Sequence, residues 1–349
     1  MKISAHGVRL SAIAAMMSLG LAGCSQSSSK SNAAAPNSAG GETAAVSAQQ
    51  SNGSTDALPA DKTGGFDGAR AYDEVAKIVA IGPRPVNSDG IHRAQDFIRT
   101  ELKNSGCSYD EDDFNASTPI GTMPMKNIVA KIPGTTNDII LLLTHYDTLR
   151  LDNFVGAADS GSSTGLMLEM ARILCSKKQP LGIWIAFLDG EEAQVVVDGQ
   201  AQWTDTDSVY GSRELSARMA LSGDLNHVRA VILADLVGQK DLKIRKDSLS
   251  TGWLTNLVWS KAAEFGYSNY FLSSERPMSD DHGPFLKRHV ASVDIIDCCS
   301  EDGDYPYWHT TQDTMDKLSA KNLGIVGHVI LATVEDLENR PKLGEKTHP

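Results

Sequence analysis

Short, uninterrupted apolar runs constrain this chain most, because each is long enough for a buried strand and too short for a buried helix. They recur at 127–132, 139–143, 182–188, 230–236 and 290–296. Between them apolar residues fall at helical spacing over 165–175, 212–221 and 254–265, and again over 323–337. Two further helical patterns, 69–81 and 91–102, precede the first run, with Gly82-Pro83-Arg84-Pro85 as a rigid break between them. Wholly apolar strands alternating with helices predict an α/β three-layer sandwich: a mixed, largely parallel central sheet flanked by helices. No internal repeat is visible.

In such sheets the ligand site lies beyond the carboxyl ends of the strands. Polar clusters fall at those places. His145-Tyr146-Asp147 follows the second run, Asp189-Gly190-Glu191-Glu192 follows the third, and Asp235 ends the fourth. Asp159 sits in a glycine-bearing stretch directly before a helical pattern, where a carboxylate would meet the positive helix end. His309 lies in Tyr307-Trp308-His309-Thr310-Thr311-Gln312-Asp313. Asp159, Glu192 and His309 together offer the nitrogen and oxygen donors that zinc prefers, with a position left for water or substrate. Glu191, next to one proposed ligand, is then placed for acid–base work beside the metal.

The ends carry a different message. Lys2 and Arg9 precede a charge-free apolar run over 10–22 that is too short to span a bilayer, as in an export signal over 1–23. The run closes on Leu21-Ala22-Gly23-Cys24, which resembles the bacterial lipoprotein box and makes Cys24 the expected lipidation site. Residues 24–65 are rich in Ser, Ala, Asn and Gly and read as a flexible tether, leaving one folded domain over 66–340 and a tail over 341–349. The expectation is an exported, cell-envelope protein held to the membrane only by its lipid. A formal charge of −12 excludes nucleic acid as a natural partner. How Cys107, Cys175, Cys298 and Cys299 pair is left open, although adjacent Cys298 and Cys299 rarely bond each other.

Six short motifs in order give a more specific reading: His145-Tyr146-Asp147, Gly156-x-x-Asp159, Asp189-Gly190-Glu191-Glu192, Asp235-Leu236-x-Gly238, Asp280-Asp281-His282 and Trp308-His309-Thr310. Over residues 66–337 the chain resembles the zinc-dependent glutaminyl cyclases, relatives of the co-catalytic zinc aminopeptidases. Ser160 after Asp159, the segment Asp207-Ser208-x-Tyr210-Gly211-Ser212-Arg213, and Trp203 and Trp308 lean toward the cyclases. The segment 193–202 is longer than in a typical cyclase, Asp294 stands where animal cyclases place a pocket histidine, and no cysteine precedes His145.

The resemblance implies that Asp159, Glu192 and His309 hold one Zn²⁺ and that Glu191 moves a proton from the substrate α-amine to departing ammonia. Asp235 and Asp280 share hydrogen bonds around Glu191, and Trp203, Trp308 and Tyr305 wall the substrate pocket. The implied substrates are peptide N-termini beginning with Gln, turned over by a monomer. The alternative is a two-zinc aminopeptidase, in which His145 and Asp235 bind a second ion and Asp159 bridges. A lesser one is a binding lipoprotein without chemistry.

Overall fold

The computed structural model describes residues 54–298 and 305–340. Its strands are β1 (Tyr109–Thr118), β2 (Gly121–Ile132), β3 (Ile139–His145), β4 (Gly182–Leu188), β5 (Val196–Val197), β6 (Gln200–Ala201), β7 (Val228–Asp235), β8 (Ile244–Asp247), β9 (Phe271–Arg276) and β10 (Ser292–Ile296). Its helices are α1 (Gly68–Val79), α2 (Asp89–Asn104), α3 (Ser163–Cys175), α4 (Tyr210–Ser222), α5 (Gly252–Glu264), α6 (Gly283–Leu286) and α7 (Ala320–Asn339). The main sheet has the order β1-β2-β4-β3-β7-β10. Strands β4, β3, β7 and β10 run parallel, and β2 and β1 extend one edge antiparallel.

Alternation of side chains across each strand explains the layers. On β3, Ile140 and Leu142 enter the large core shared with α1, α2, α3, α5 and α7, whereas Leu141 and Leu143 meet Leu215 and Met219 of α4 and Phe285 of α6. Both faces are covered, so the whole strand is buried and reads as an unbroken apolar run. Helix starts are fixed by side-chain caps: Asp67 accepts from Ala69 N and Arg70 N on α1, and Ser88 and Ser319 begin α2 and α7 in the same way.

Two boundaries differ from expectation. Strand β1, Tyr-Asp-Glu-Asp-Asp-Phe-Asn-Ala-Ser-Thr, shows no apolar run, yet it pairs along its full length with β2, from Tyr109↔Ala130 to Thr118↔Gly121. The expected tether also ends before Gly65. Asp56 accepts from Ser319 Oγ at 2.6 Å and Lys321 N at 3.1 Å, and half-buried Ala57 and Leu58 pack on the large core. Anchoring at a few points, rather than apolar content, orders this segment.

A disulfide joins Cys107 to Cys175, tying the chain beyond α2 to the end of α3, and Cys298 is also disulfide-bonded. Among the described residues no helix is long and apolar enough to cross a membrane. The signal region 1–23, Cys24, Cys299 and the tail 341–349 lie outside the described residues.

Candidate active site

The parallel strands deliver their polar ends to one rim. His145 is the last residue of β3 and Asp235 the last of β7, while Glu191 and Glu192 follow β4. Asp159 reaches the rim from the turn before α3. Gly156 makes that turn possible: its φ is +52°, and a Cβ there would lie 1.9 Å from the Asp159 carbonyl oxygen. The Asp159–Ser160 peptide is cis. His309 comes from the loop ahead of α7 with a left-handed φ of 53°. Its ring is stacked under Trp308 at 4.1 Å and meets the edge of Phe154 at 6.2 Å.

These residues form two donor sets that share Asp159. His309 Nε2 lies 3.4 Å from Asp159 Oδ2 and 3.2 Å from Glu192 Oε2. His145 Nε2 lies 3.2 Å from Asp159 Oδ1 and 3.2 Å from Asp235 Oδ1. Within each set the donor atoms lie within 4.8 Å of one another. Glu192 Oε1 is buried without a hydrogen-bond partner, and Oε2 meets only the His309 ring nitrogen. A buried carboxylate in that state is costly unless a cation meets it. An imidazole with two carboxylates is also a donor set suited to zinc, so these residues fit a metal.

Electrostatics around the rim follow from crowding. Burial, and then repulsion from Asp159, push the Glu192 carboxyl up to about 6, with His309 opposing. Burial raises Glu191 well above its ordinary range; His145 opposes this, whereas Asp280 and Glu192 reinforce it. Asp280 is likewise raised by burial and by Asp235 and Asp281. Although burial works against it, the imidazole of His145 is held well above its usual range by Asp235, Glu191 and Asp147. Glu191 is thus a carboxyl of raised proton affinity that belongs to neither donor set, 3.9 Å from His145 Nδ1.

Three supporting residues were not singled out by sequence reasoning. Asp147 accepts from Glu191 N at 3.1 Å and Glu192 N at 3.3 Å, which fixes the two glutamates relative to His145. Asp313 accepts from Ala158 N and Asp159 N, holding the Asp159 turn. Arg84, fully buried, donates to the carbonyls of Tyr146, Val155 and Gly156. Each lay inside a stretch already quoted, and the available signal was a charged residue beside a proposed ligand or between two prolines.

Trp203 and Trp308 line a cavity of about 280 Å³ with Asp159, Glu191, Asp235, Asp280 and His309. The long segment 193–202 forms the β5–β6 hairpin, and its Gln200 and Ala201 add to that wall. Tyr305 is a correction: it is buried and donates its hydroxyl to Asp313 Oδ1 at 2.5 Å, so it faces the support of the Asp159 turn rather than the cavity. Its phenol needs a buried acceptor, and Asp313 supplies one. Asp294 is buried on β10 and does not line the cavity.

Residues 127–334 match the model of peptidase family M28. The chain is 38% identical to a glutaminyl cyclase structure from an Acidobacteriales bacterium, with TM-score 0.73, covering 79% of this chain and 96% of that one. It is 30% identical over 288 residues to a glutaminyl-peptide cyclotransferase from Bothrops jararaca, covering 70% of this chain and 75% of the relative. A Zn-dependent exopeptidase from Parabacteroides distasonis is 27% identical with TM-score 0.70, covering 79% of this chain and 99% of that one. The six-stranded sheet, the rim of donors at its carboxyl end and these likenesses agree: the chain belongs to peptidase family M28, among its glutaminyl-peptide cyclotransferases.

Proposed function

We infer that this protein closes the N-terminal glutamine of peptides into pyroglutamate with release of ammonia, using one zinc ion held by Asp159, Glu192 and His309. The observation that carries the reading is the placement of Glu191. It is buried at the donor set, belongs to neither ligand group, and has its affinity for a proton raised by burial and by Asp280. Zinc bound by the three ligands would supply a Lewis acid toward the γ-carboxamide oxygen.

The remaining work falls to the chain's own side chains. Glu191 accepts a proton from the α-amine, and the freed nitrogen attacks the side-chain carbonyl carbon to form the ring C–N bond. The bond to the amide nitrogen then breaks, and that nitrogen leaves as ammonia with the proton from Glu191. Ring closure needs the glutamine folded on itself, and Trp203 and Trp308 on the cavity wall are placed to hold that shape. Asp235 and Asp280 keep the surroundings of Glu191 acidic.

The two-zinc aminopeptidase remains the second reading, because His145, Asp159 and Asp235 form a complete additional donor set. The one-zinc reading is favoured by His145. Both its ring nitrogens face carboxylates, Asp147 at 3.3 Å on Nδ1 and the Asp159–Asp235 pair on Nε2. A doubly protonated ring there offsets one of the pair's two negative charges without a second ion. Export with lipid anchorage at Cys24, and action as a monomer, belong to the same proposal on sequence grounds. Metabolic lipid labelling tests the anchor, and label retained by Cys24→Ala overturns it.

The function is tested by product identity. With a Gln-initiated peptide, mass spectrometry should show loss of ammonia and an intact backbone, while a Leu-initiated peptide stays unchanged. Release of free N-terminal amino acid from either would replace the cyclase with the aminopeptidase.

A further inference from the structure

A second and larger cavity, about 660 Å³, opens beside the first. Trp203, Met278, Ser279 and Asp280 line both, so the two are adjacent across a shared wall, and the larger has more than twice the 280 Å³ of the smaller. A peptide whose first residue occupies the smaller cavity must send its following residues somewhere, and this groove begins at the same tryptophan.

The groove has an unusual charge. Arg213, Lys287 and Arg288 line it on a chain whose formal charge is −12. Their contacts do not neutralise them. Arg213 donates to the Thr206 carbonyl and lies over the Tyr210 ring at 4.4 Å, and Arg288 donates to Ser216 Oγ at 3.2 Å. Among the described residues none of the three forms an ion pair, whereas Lys126 of β2 and Arg218 of α4 both pair with acids of β1. The lining also holds Asp205, which is exposed, and the buried Asp280.

We propose that this groove is the subsite for the residues following the N-terminal glutamine, and that Arg213, Lys287 and Arg288 make it select peptides with acidic side chains there. The proposal rests on the cyclase reading. Since the rest of an acidic protein repels such peptides, the preference is local to the groove and sensitive to salt.

The test compares Gln-Glu-Glu-Ala-amide with Gln-Ala-Ala-Ala-amide, Gln-Lys-Lys-Ala-amide and the free acid Gln-Ala-Ala-Ala. Turnover by the intact enzyme should give a KM lower by about 2- to 5-fold per acidic side chain than for the neutral amide, the span of a partly exposed ion pair. The advantage should shrink as salt is raised. Lys287→Glu and, separately, Arg213→Gln should lower the ratio of acidic to neutral kcat/KM; Lys287 is exposed, so its replacement leaves packing intact. Equal KM values for the amides, or a ratio unmoved by both variants, overturns the proposal. A gain confined to the free acid overturns it too, since the groove would then read a chain terminus. Calorimetric binding of the corresponding pyroglutamyl peptides to the zinc-loaded protein gives the same comparison without turnover. Failure to cyclise any Gln peptide would sink the cyclase reading, while equal binding of acidic and neutral products would sink the subsite.

Discussion

Strand β1 and the catalytic rim are both rich in acids, and they treat them in opposite ways. On β1, Asp110 pairs with Lys131, Glu111 with Arg99 and Lys126, Asp112 with Arg218, and Asp113 with Lys126. Each acid meets a cation of the chain itself, on an edge strand where charge also discourages pairing with other chains. At the rim, Asp159, Glu191, Glu192, Asp235 and Asp280 are all buried, and among the described residues the basic groups facing them are His145 and His309, with Arg84 behind. Acids neutralised by the fold are structural. Those the fold buries with too few cations are where the proposed metal ion and moving proton would belong.

The largest effect should come from Glu191. Glu191→Gln keeps the shape and leaves all three proposed ligands in place, so zinc content should persist while cyclisation falls about 100- to 10,000-fold. Near-normal turnover would remove the proposed base. Tyr305→Phe removes the hydroxyl that holds Asp313, and through it the Asp159 turn. Zinc affinity, read by competition with a chelator, should drop about 10- to 100-fold. Unchanged affinity would return Tyr305 to a packing role.

Acidity separates the two regions next. Burial lifts Glu192 to about 6 and Asp281 and Asp313 to about 7, so the metal-free folded chain holds protons that the unfolded chain releases. Stability is therefore lost as pH rises through those values, and raised His145 acts in the same direction. Lowering the pH from about 7.5 to about 5.5 should raise Tm for chelator-treated protein, and less so for zinc-loaded protein, in which Glu192 stays ionised. On β1 the sign reverses. Despite partial burial, Lys126 and Arg99 hold Glu111 below its usual range, so its contribution fades only as pH falls through that lowered value. The smallest effect follows there: Lys126→Ala should cost about 1 kcal/mol or less and leave turnover unchanged. A loss of activity would blur the contrast between the two regions.

The same contrast explains what could be read from sequence. Buried strands announce themselves as apolar runs, so β2, β3, β4, β7 and β10 and the helices between them were legible, as was the rim at their ends. Strand β1 was not, because its stability comes from pairing with β2 and from cross-strand charge rather than from an apolar face of its own. The donors gathered at the rim were legible as residue types, because a histidine with carboxylates is a set that would suit zinc. Tyr305, expected to wall the cavity with Trp308, turns instead to Asp313: direction along an irregular loop depends on a tertiary partner that no local spacing encodes. Arg84 likewise looked like part of a rigid break, and its guanidinium proves to be the buried clamp on the carbonyls around Asp159.

The central claim is that the rim binds one zinc ion through Asp159, Glu192 and His309. Elemental analysis of zinc per chain tests it most directly, made on the wild type, His145→Ala and His309→Ala. One zinc is expected in the wild type, one in His145→Ala and little or none in His309→Ala. Two ions in the wild type, falling to one in His145→Ala, would contradict it.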